Sequence, residues 1–111
     1  MNLNEYQDAA MRTSVTHQSS ELRLDNAILG LCGEIGELAD LWKKHLFHGH
    51  LFDPTRAAKE LGDILWYVAQ AASALKYTLE EVGTINIAKL ELRYPEGFSS
   101  ERSINREEHH G

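Results

Sequence analysis

The longest apolar pattern in the chain predicts a helix from about Arg23 to Leu46. Its apolar residues recur at alternating steps of four and three, as expected for one face of a helix. They are Leu24, Ile28, Leu31, Ile35, Leu38 and Trp42. A second stripe of this kind predicts a helix that begins after an Asp53 N-cap, with Pro54 at its first position, and runs to about Lys76. Its apolar residues are Ala57, Leu61, Ile64, Leu65, Val68, Ala72 and Leu75.

Two shorter helices flank this pair in the sequence. The first is predicted from about Asn4 to Thr13, before a Ser- and Thr-rich loop. The last begins after a capping box at Thr78 and stops near Tyr94, because Pro95 follows. No strand pattern and no repeat is evident, so we predict an all-α fold, a four-helix bundle with short antiparallel connections.

The apolar stripes exceed what four helices of this size can cover, so we expect oligomerisation to complete the bundle. The candidates for burial between subunits are Leu41, Trp42, Ile64 and Val68. Residues 1–98 are assigned to one domain. Residues 99–111 form a polar tail, which we expect to be disordered.

Composition narrows the functional classes. The chain has 111 residues and a net charge of −6, which argues against a nucleic-acid surface. No apolar run reaches the roughly 20 residues of a membrane span. A single cysteine, Cys32, excludes an internal disulfide and favours a cytoplasmic location; we expect its thiol to be buried.

Two pairs of acids stand out beside the apolar stripes. Glu34 and Glu37 are three residues apart on one long helix, and Glu60 and Asp63 are three apart on the other. Residues at this spacing are neighbours on a helix surface, so each pair can present two carboxylates to one point. If the helices pack together, the four acids line one groove and form a site for Mg²⁺, with Mn²⁺ as a substitute. The alternative is two solvated acidic faces, which are common on exposed helices.

Three glycines interrupt the first long helix: Gly30, Gly33 and Gly36. Each costs roughly 0.5–1 kcal/mol relative to Ala in a helix interior. Close approach of another helix or of a ligand is the expected compensation.

Four segments of the sequence resemble the MazG-type nucleotide pyrophosphohydrolases, especially compact phage- or integron-like members. They are NLNEYQDAAMRT, GLCGEIGELADLWKKHLFHGH, KELGDILWYVA and NIAKLELRYPEGF. The resemblance runs in order through most of residues 2–98 and implies an all-α fold of the MazG/dimeric-dUTPase kind. It also implies Mg²⁺-dependent cleavage of a nucleoside triphosphate to monophosphate and pyrophosphate, by a homodimer or a dimer of dimers.

Carried over by position, the resemblance assigns metal binding to the four acids of the two pairs. It assigns contacts near the nucleotide to Lys43, Lys44, Asn86, Lys89, Arg93 and Tyr94. Many relatives have a further acid where this chain has Gly33, so a mechanism that requires that acid is not expected here. Glu37 is our candidate for the catalytic base that orients or deprotonates the attacking water.

The sequence also allows other functions and other roles for single residues. The chain can be a non-catalytic helical interaction module, or a narrower enzyme of the dUTPase or dCTPase type. Trp42, Trp66 and Tyr67 can stack a base, although core packing is favoured for Trp66. His45, His48 and His50 have a spacing that can bind a transition metal, but surface or loop roles are favoured.

Overall fold

The computed structural model describes residues 1–15, 17–97 and 100–104. Its helices are α1 (Leu3–Met11), α2 (Ser20–His48), α3 (Pro54–Ala74), α4 (Leu79–Arg93) and the short α5 (Ser100–Ile104). Within these residues there is no strand, so the predicted all-α class with four main helices is confirmed. Helix α5 falls inside the tail, and residues 105–111 lie outside the described part, so the disorder expected there stays a prediction.

Capping residues set the ends of the long helices. Helix α2 begins earlier than predicted because the Ser19 hydroxyl accepts a hydrogen bond from the Leu22 amide at 3.1 Å. It ends at Gly49, whose φ of +72° places the chain in the left-handed region that favours glycine. The predicted Asp53 N-cap is confirmed, since its carboxylate accepts a hydrogen bond from the Thr55 amide at 2.9 Å.

The chain divides into two compact units, one holding α1 to α3 and the other holding α4 and α5. In the first unit α2 and α3 pack along much of their length. Gly30 of α2 faces Tyr67 of α3, and Glu34 faces Glu60. As residue numbers rise on one helix they fall on the other, so the two helices run antiparallel.

Buried polar side chains tie α1 and α2 to α3. Gln70, which is 3% exposed, donates hydrogen bonds to the Arg23 carbonyl and to Asn26 Oδ1, and accepts one from the Ser14 hydroxyl. Gln7 of α1 donates to Ser73 Oγ at 2.9 Å. Because buried amides must be satisfied, these bonds fix how α1 and α2 lie against α3.

Small residues form most of the core. The buried apolar residues of the described chain are Ala10, Ala27, Ala57, Ala69, Ala72, Ala74 and Leu79. No large side chain is completely buried among them, and several stripe residues are about half exposed, including Ile35 (53%) and Leu61 (55%). The expectation that Cys32 is buried is wrong: it is exposed, because it lies on a side of α2 that α3 does not cover.

None of the described helices combines the length and the apolar character that crossing a membrane requires.

Candidate active site

Three carboxylates of the first unit converge between α2 and α3. One oxygen each from Glu34, Glu37 and Glu60 lies within 4.8 Å of the other two. The i, i+3 spacing places Glu34 and Glu37 on adjacent turns of α2, and antiparallel packing brings Glu60 opposite them. Glu34 and Glu60 are half-buried, while Glu37 is exposed. In the described residues this is the one cluster of three or more His, Cys, Asp or Glu side chains suited to a metal.

The meeting of Glu34 and Glu60 dominates the electrostatics of this cluster. When both carboxyl groups are ionised, the buried Oε2 atom of each receives no hydrogen bond from a donor group of the described protein. A hydrogen bond between the two carboxyl groups requires a proton on one of them, and this is the largest cause that raises the pKa of Glu34 to about 7. Desolvation follows, and then the negative charges of Glu37 and Asp63.

Asp63 lies beside the three-carboxylate cluster instead of within it. It lines a cavity with Glu34, and its charge contributes to the raised pKa of that residue. Asp63 also lies near Tyr6 of α1. Burial and the negative charge of Asp63 together raise the pKa of the Tyr6 hydroxyl. The sequence placed all four acids in one metal site, whereas the structure distinguishes three close carboxylates from a neighbouring fourth.

Two cavities adjoin the cluster. A cavity of about 310 Å³ is lined by Glu34, Asp63, Trp66 and Tyr67. A second, of about 530 Å³, is lined by Gly33, Gly36, Glu37, Asp40, Leu41, Arg56 and Glu60. The first offers aromatic side chains and the second offers acids with one arginine, so the cluster lies between two chemically different spaces.

Trp66 and Tyr67 form an aromatic wall of the smaller cavity, and the position of Tyr67 requires a glycine at residue 30. A Cβ atom added at Gly30 would lie 2.7 Å from Tyr67 Cδ1 and closer still to two other atoms of the ring. This is the close helix approach that the glycine pattern predicted for α2, and it occurs at Gly30; Gly33 and Gly36 have open space where a Cβ would stand. Trp66 is also held in place, since its indole N–H donates to the Ala10 carbonyl at 3.1 Å and to Thr13 Oγ1 at 2.8 Å.

The basic side chain that lines the cavity beside the cluster is not one of the lysines that the sequence assigned to the nucleotide. Lys43 and Lys44 both pair with Asp40, at 3.7 and 2.8 Å. Arg56, in the first turn of α3, lines the larger cavity with Glu37 and Glu60. Sequence reasoning missed Arg56 because it belongs to no motif; its position four residues before Glu60, which places it on the same helix face, was the available signal.

The histidine-rich segment packs as an aromatic group. Trp42 contacts Phe52 edge to face with ring centroids 5.1 Å apart, and His45 lies 5.3 Å from Trp42. His45 Nδ1 is 3.0 Å from the His50 carbonyl oxygen. Among the described residues the histidines do not form a group of three ligands close enough to share one metal ion, and the role of this segment stays a prediction.

The remaining predicted contacts lie on the second unit. Asn86 and Lys89 are exposed on α4, while Arg93 and Tyr94 at its end are half-buried. Their assignment to the nucleotide stays a prediction from the resemblance.

The three-carboxylate cluster fits a hard divalent cation. Carboxylate oxygens are the ligands that Mg²⁺ and Mn²⁺ prefer. When ionised, the buried Oε2 atoms of Glu34 and Glu60 are acceptors that no donor of the described protein satisfies, and a divalent cation would fit them as a partner.

Comparison with known proteins identifies the family of this chain. The MazG nucleotide pyrophosphohydrolase domain matches residues 23–98. The chain is also similar to the Gene 37 protein of Mycobacterium phage L5, with 34% identity over 114 residues that cover 96% of this chain and 100% of the phage protein. No solved structure matches. The matched residues include most of α2, all of α3 and α4, and all four acids, and the chain belongs to the MazG nucleotide pyrophosphohydrolase domain family.

Proposed function

We propose that this protein is a Mg²⁺-dependent pyrophosphohydrolase that cleaves nucleoside or deoxynucleoside triphosphates to monophosphate and pyrophosphate. The observation that carries the proposal is the cluster of Glu34, Glu37 and Glu60, with two buried oxygens that no donor of the described protein satisfies. Water cleaves the anhydride between the α- and β-phosphates. Its hydroxyl group becomes part of one product, and its remaining proton is transferred to the other. The role we assign is housecleaning of the nucleotide pool.

The metal would be held by Glu34, Glu37 and Glu60, with Asp63 as a fourth ligand. When bound, Mg²⁺ neutralises phosphate charge and lowers the pKa of a coordinated water. Glu37 is the exposed member of the cluster and lines the larger cavity, so it is the carboxylate best placed to accept a proton from an incoming water. This placement supports Glu37 as the catalytic base.

The nucleoside is assigned to the cavity beside Trp66 and Tyr67. An aromatic wall offers a stacking surface, and the volume of about 310 Å³ is at the lower end of the roughly 300–1,000 Å³ usual for ligand pockets. Because both ring positions are fixed by contacts with α1 and α2, the wall is preorganised. From the family resemblance, Lys43 and Lys44 and the α4 residues Asn86, Lys89, Arg93 and Tyr94 complete the substrate contacts.

The active form is a homodimer or a dimer of dimers. Large apolar side chains remain exposed along α2 and α3, and a core of alanines leaves much apolar surface in contact with water. The exposed stripe residues are Ile28, Ile35, Trp42, Leu61 and Leu65. Burial of these side chains against a second copy would supply the packing that a single chain lacks.

Pyrophosphate release from a panel of ribo- and deoxyribonucleoside triphosphates tests the proposed activity. Release that requires Mg²⁺ or Mn²⁺ and stops with EDTA is the expected result. Strong preference for dUTP or dCTP would favour the narrower enzyme. No hydrolysis of any canonical or modified nucleotide would overturn the proposal and favour the interaction module.

A further inference from the structure

Arg56 has a position that the assigned roles do not explain. It is the third residue of α3, and it is exposed. Its side chain lines the cavity of about 530 Å³ that contains Glu37 and Glu60. It also lines a neighbouring cavity of about 140 Å³ with Lys44 and His50. Arg56 therefore stands where the site's acidic cluster meets a region that holds Lys44, His50 and Asp53.

Within the described protein the Arg56 charge has no carboxylate partner. Its guanidinium makes no ion pair within 4.0 Å among these residues, whereas Lys43 and Lys44 both pair with Asp40. The first turn of α3 also carries no acidic residue. A cation in the first turn is unfavourable, because the helix dipole is positive there. Because the Asp53 carboxylate already caps the helix N-terminus, the guanidinium of Arg56 is the positive group there that can attract a further anion.

We propose that Arg56 binds the β,γ-phosphate end of the substrate, the part that leaves as pyrophosphate. This inference rests on the proposed function and adds the orientation of the substrate in the site. Arg56 and Tyr67 are eleven residues apart on α3, roughly 16 Å along the helix at 1.5 Å per residue. The substrate lies between them, with its nucleoside beside Tyr67, its α–β linkage at the carboxylates and its terminal phosphates at Arg56.

The planar guanidinium suits this role. It can donate two parallel hydrogen bonds to phosphate oxygens, which a lysine cannot reproduce. Arg56 lies four residues before Glu60, and residues at this spacing are neighbours on one helix face. A phosphate held there stays next to the carboxylate cluster, so Arg56 and the metal would hold one phosphate chain from two sides.

Calorimetric titration of the full chain with inorganic pyrophosphate in the presence of Mg²⁺ tests this assignment. Arg56→Ala is expected to weaken pyrophosphate binding by at least about 10-fold, the effect typical of a lost hydrogen bond to a charged group. Arg56→Lys should recover only part of that loss. Lys59→Ala is the matched control, since it removes a nearby exposed cation of α3 that lines neither cavity; its affinity should stay within about twofold of the unsubstituted protein.

Two kinds of reference ligand, a metal ion and nucleoside monophosphates, separate this role from a general effect on the site. Mn²⁺ titrated alone, and AMP, CMP, GMP and UMP, should bind Arg56→Ala within about twofold of the unsubstituted protein. Equal losses for the monophosphates and pyrophosphate, loss of Mn²⁺ binding, or no binding of pyrophosphate to the unsubstituted protein would each overturn the proposal. Pyrophosphate binding that depends on Arg56, without hydrolysis of any triphosphate, would refute the enzyme and leave the phosphate site standing.

Discussion

The carboxyl groups of Glu34 on α2 and Glu60 on α3 meet between the antiparallel helices, and their shared hydrogen bond raises the pKa of Glu34 to about 7. A raised carboxyl pKa means that the folded chain binds more protons than the unfolded chain between the ordinary value of 4.5 and about 7. The stability contributed by protonated Glu34 is therefore present at low pH and is lost as pH rises through this window.

The first prediction concerns pH. The melting temperature of the metal-free protein should fall as pH rises from about 5 to 8, while Mg²⁺ affinity should rise, because binding must displace the shared proton. Glu34→Gln should flatten both dependences, measured by thermal melts and by metal titration. A metal-free melting temperature that rises over this range in the unsubstituted protein would contradict the Glu34 assignment.

The second prediction concerns Glu37. Glu37→Gln should abolish pyrophosphate release and leave the helical circular-dichroism spectrum nearly unchanged, because the side chain is exposed and only its charge and basicity are lost. Glu21→Gln is the matched control: it removes an exposed acid from the first turn of the same helix and should keep full activity. Turnover by Glu37→Gln equal to that of the control would remove Glu37 from the mechanism.

The third prediction concerns Gly30. Gly30→Ala should lower the free energy of unfolding by about 1–3 kcal/mol, because the new methyl group overlaps the Tyr67 ring. Gly33→Ala, where a Cβ meets open space, should instead raise it by about 0.5–1 kcal/mol. Chemical denaturation measures both free energies.

Replacing the ring tests whether Tyr67 is the cause. Tyr67→Leu in the Gly30→Ala background should remove part of the penalty, so the two changes are expected to be non-additive. Additive effects would show that the glycine acts through another contact. The KM for a triphosphate should also rise in Gly30→Ala if Tyr67 forms the nucleoside wall.

The fourth prediction concerns the exposed apolar stripe. Sedimentation should give a dimer or tetramer, and Ile35→Asp should dissociate it or prevent folding, because a charge in a buried interface is costly. Leu29→Asp changes an even more exposed residue (73%) that lies about 120° around α2 from Ile35, and it should preserve the assembly. A monomeric unsubstituted protein, or equal dissociation by both variants, would contradict this interface.

The sequence by itself determined the helices and the residues from which the site is built. Apolar periodicity, the Asp53 cap and the proline after Tyr94 act over a few residues. They can therefore be recognised in the sequence without knowledge of the tertiary structure. The spacing of Glu34 and Glu37 likewise fixes two carboxylates on adjacent turns of one helix. These local rules located α2 and α3 and three of the acids that the structure brings together.

Only the tertiary structure decided how the two long helices meet. Their register brings Glu60 into the cluster and sets Asp63 beside it, toward Tyr6 of α1. The same register presses Tyr67 against Gly30 and points Arg56 into the acidic cavity. Helical periodicity gives each residue an angle about its own helix, but the crossing and sliding of one helix on another depend on packing summed over the whole contact. For that reason the sequence could identify the candidate acids, whereas their neighbours across the helix contact became known only from the structure.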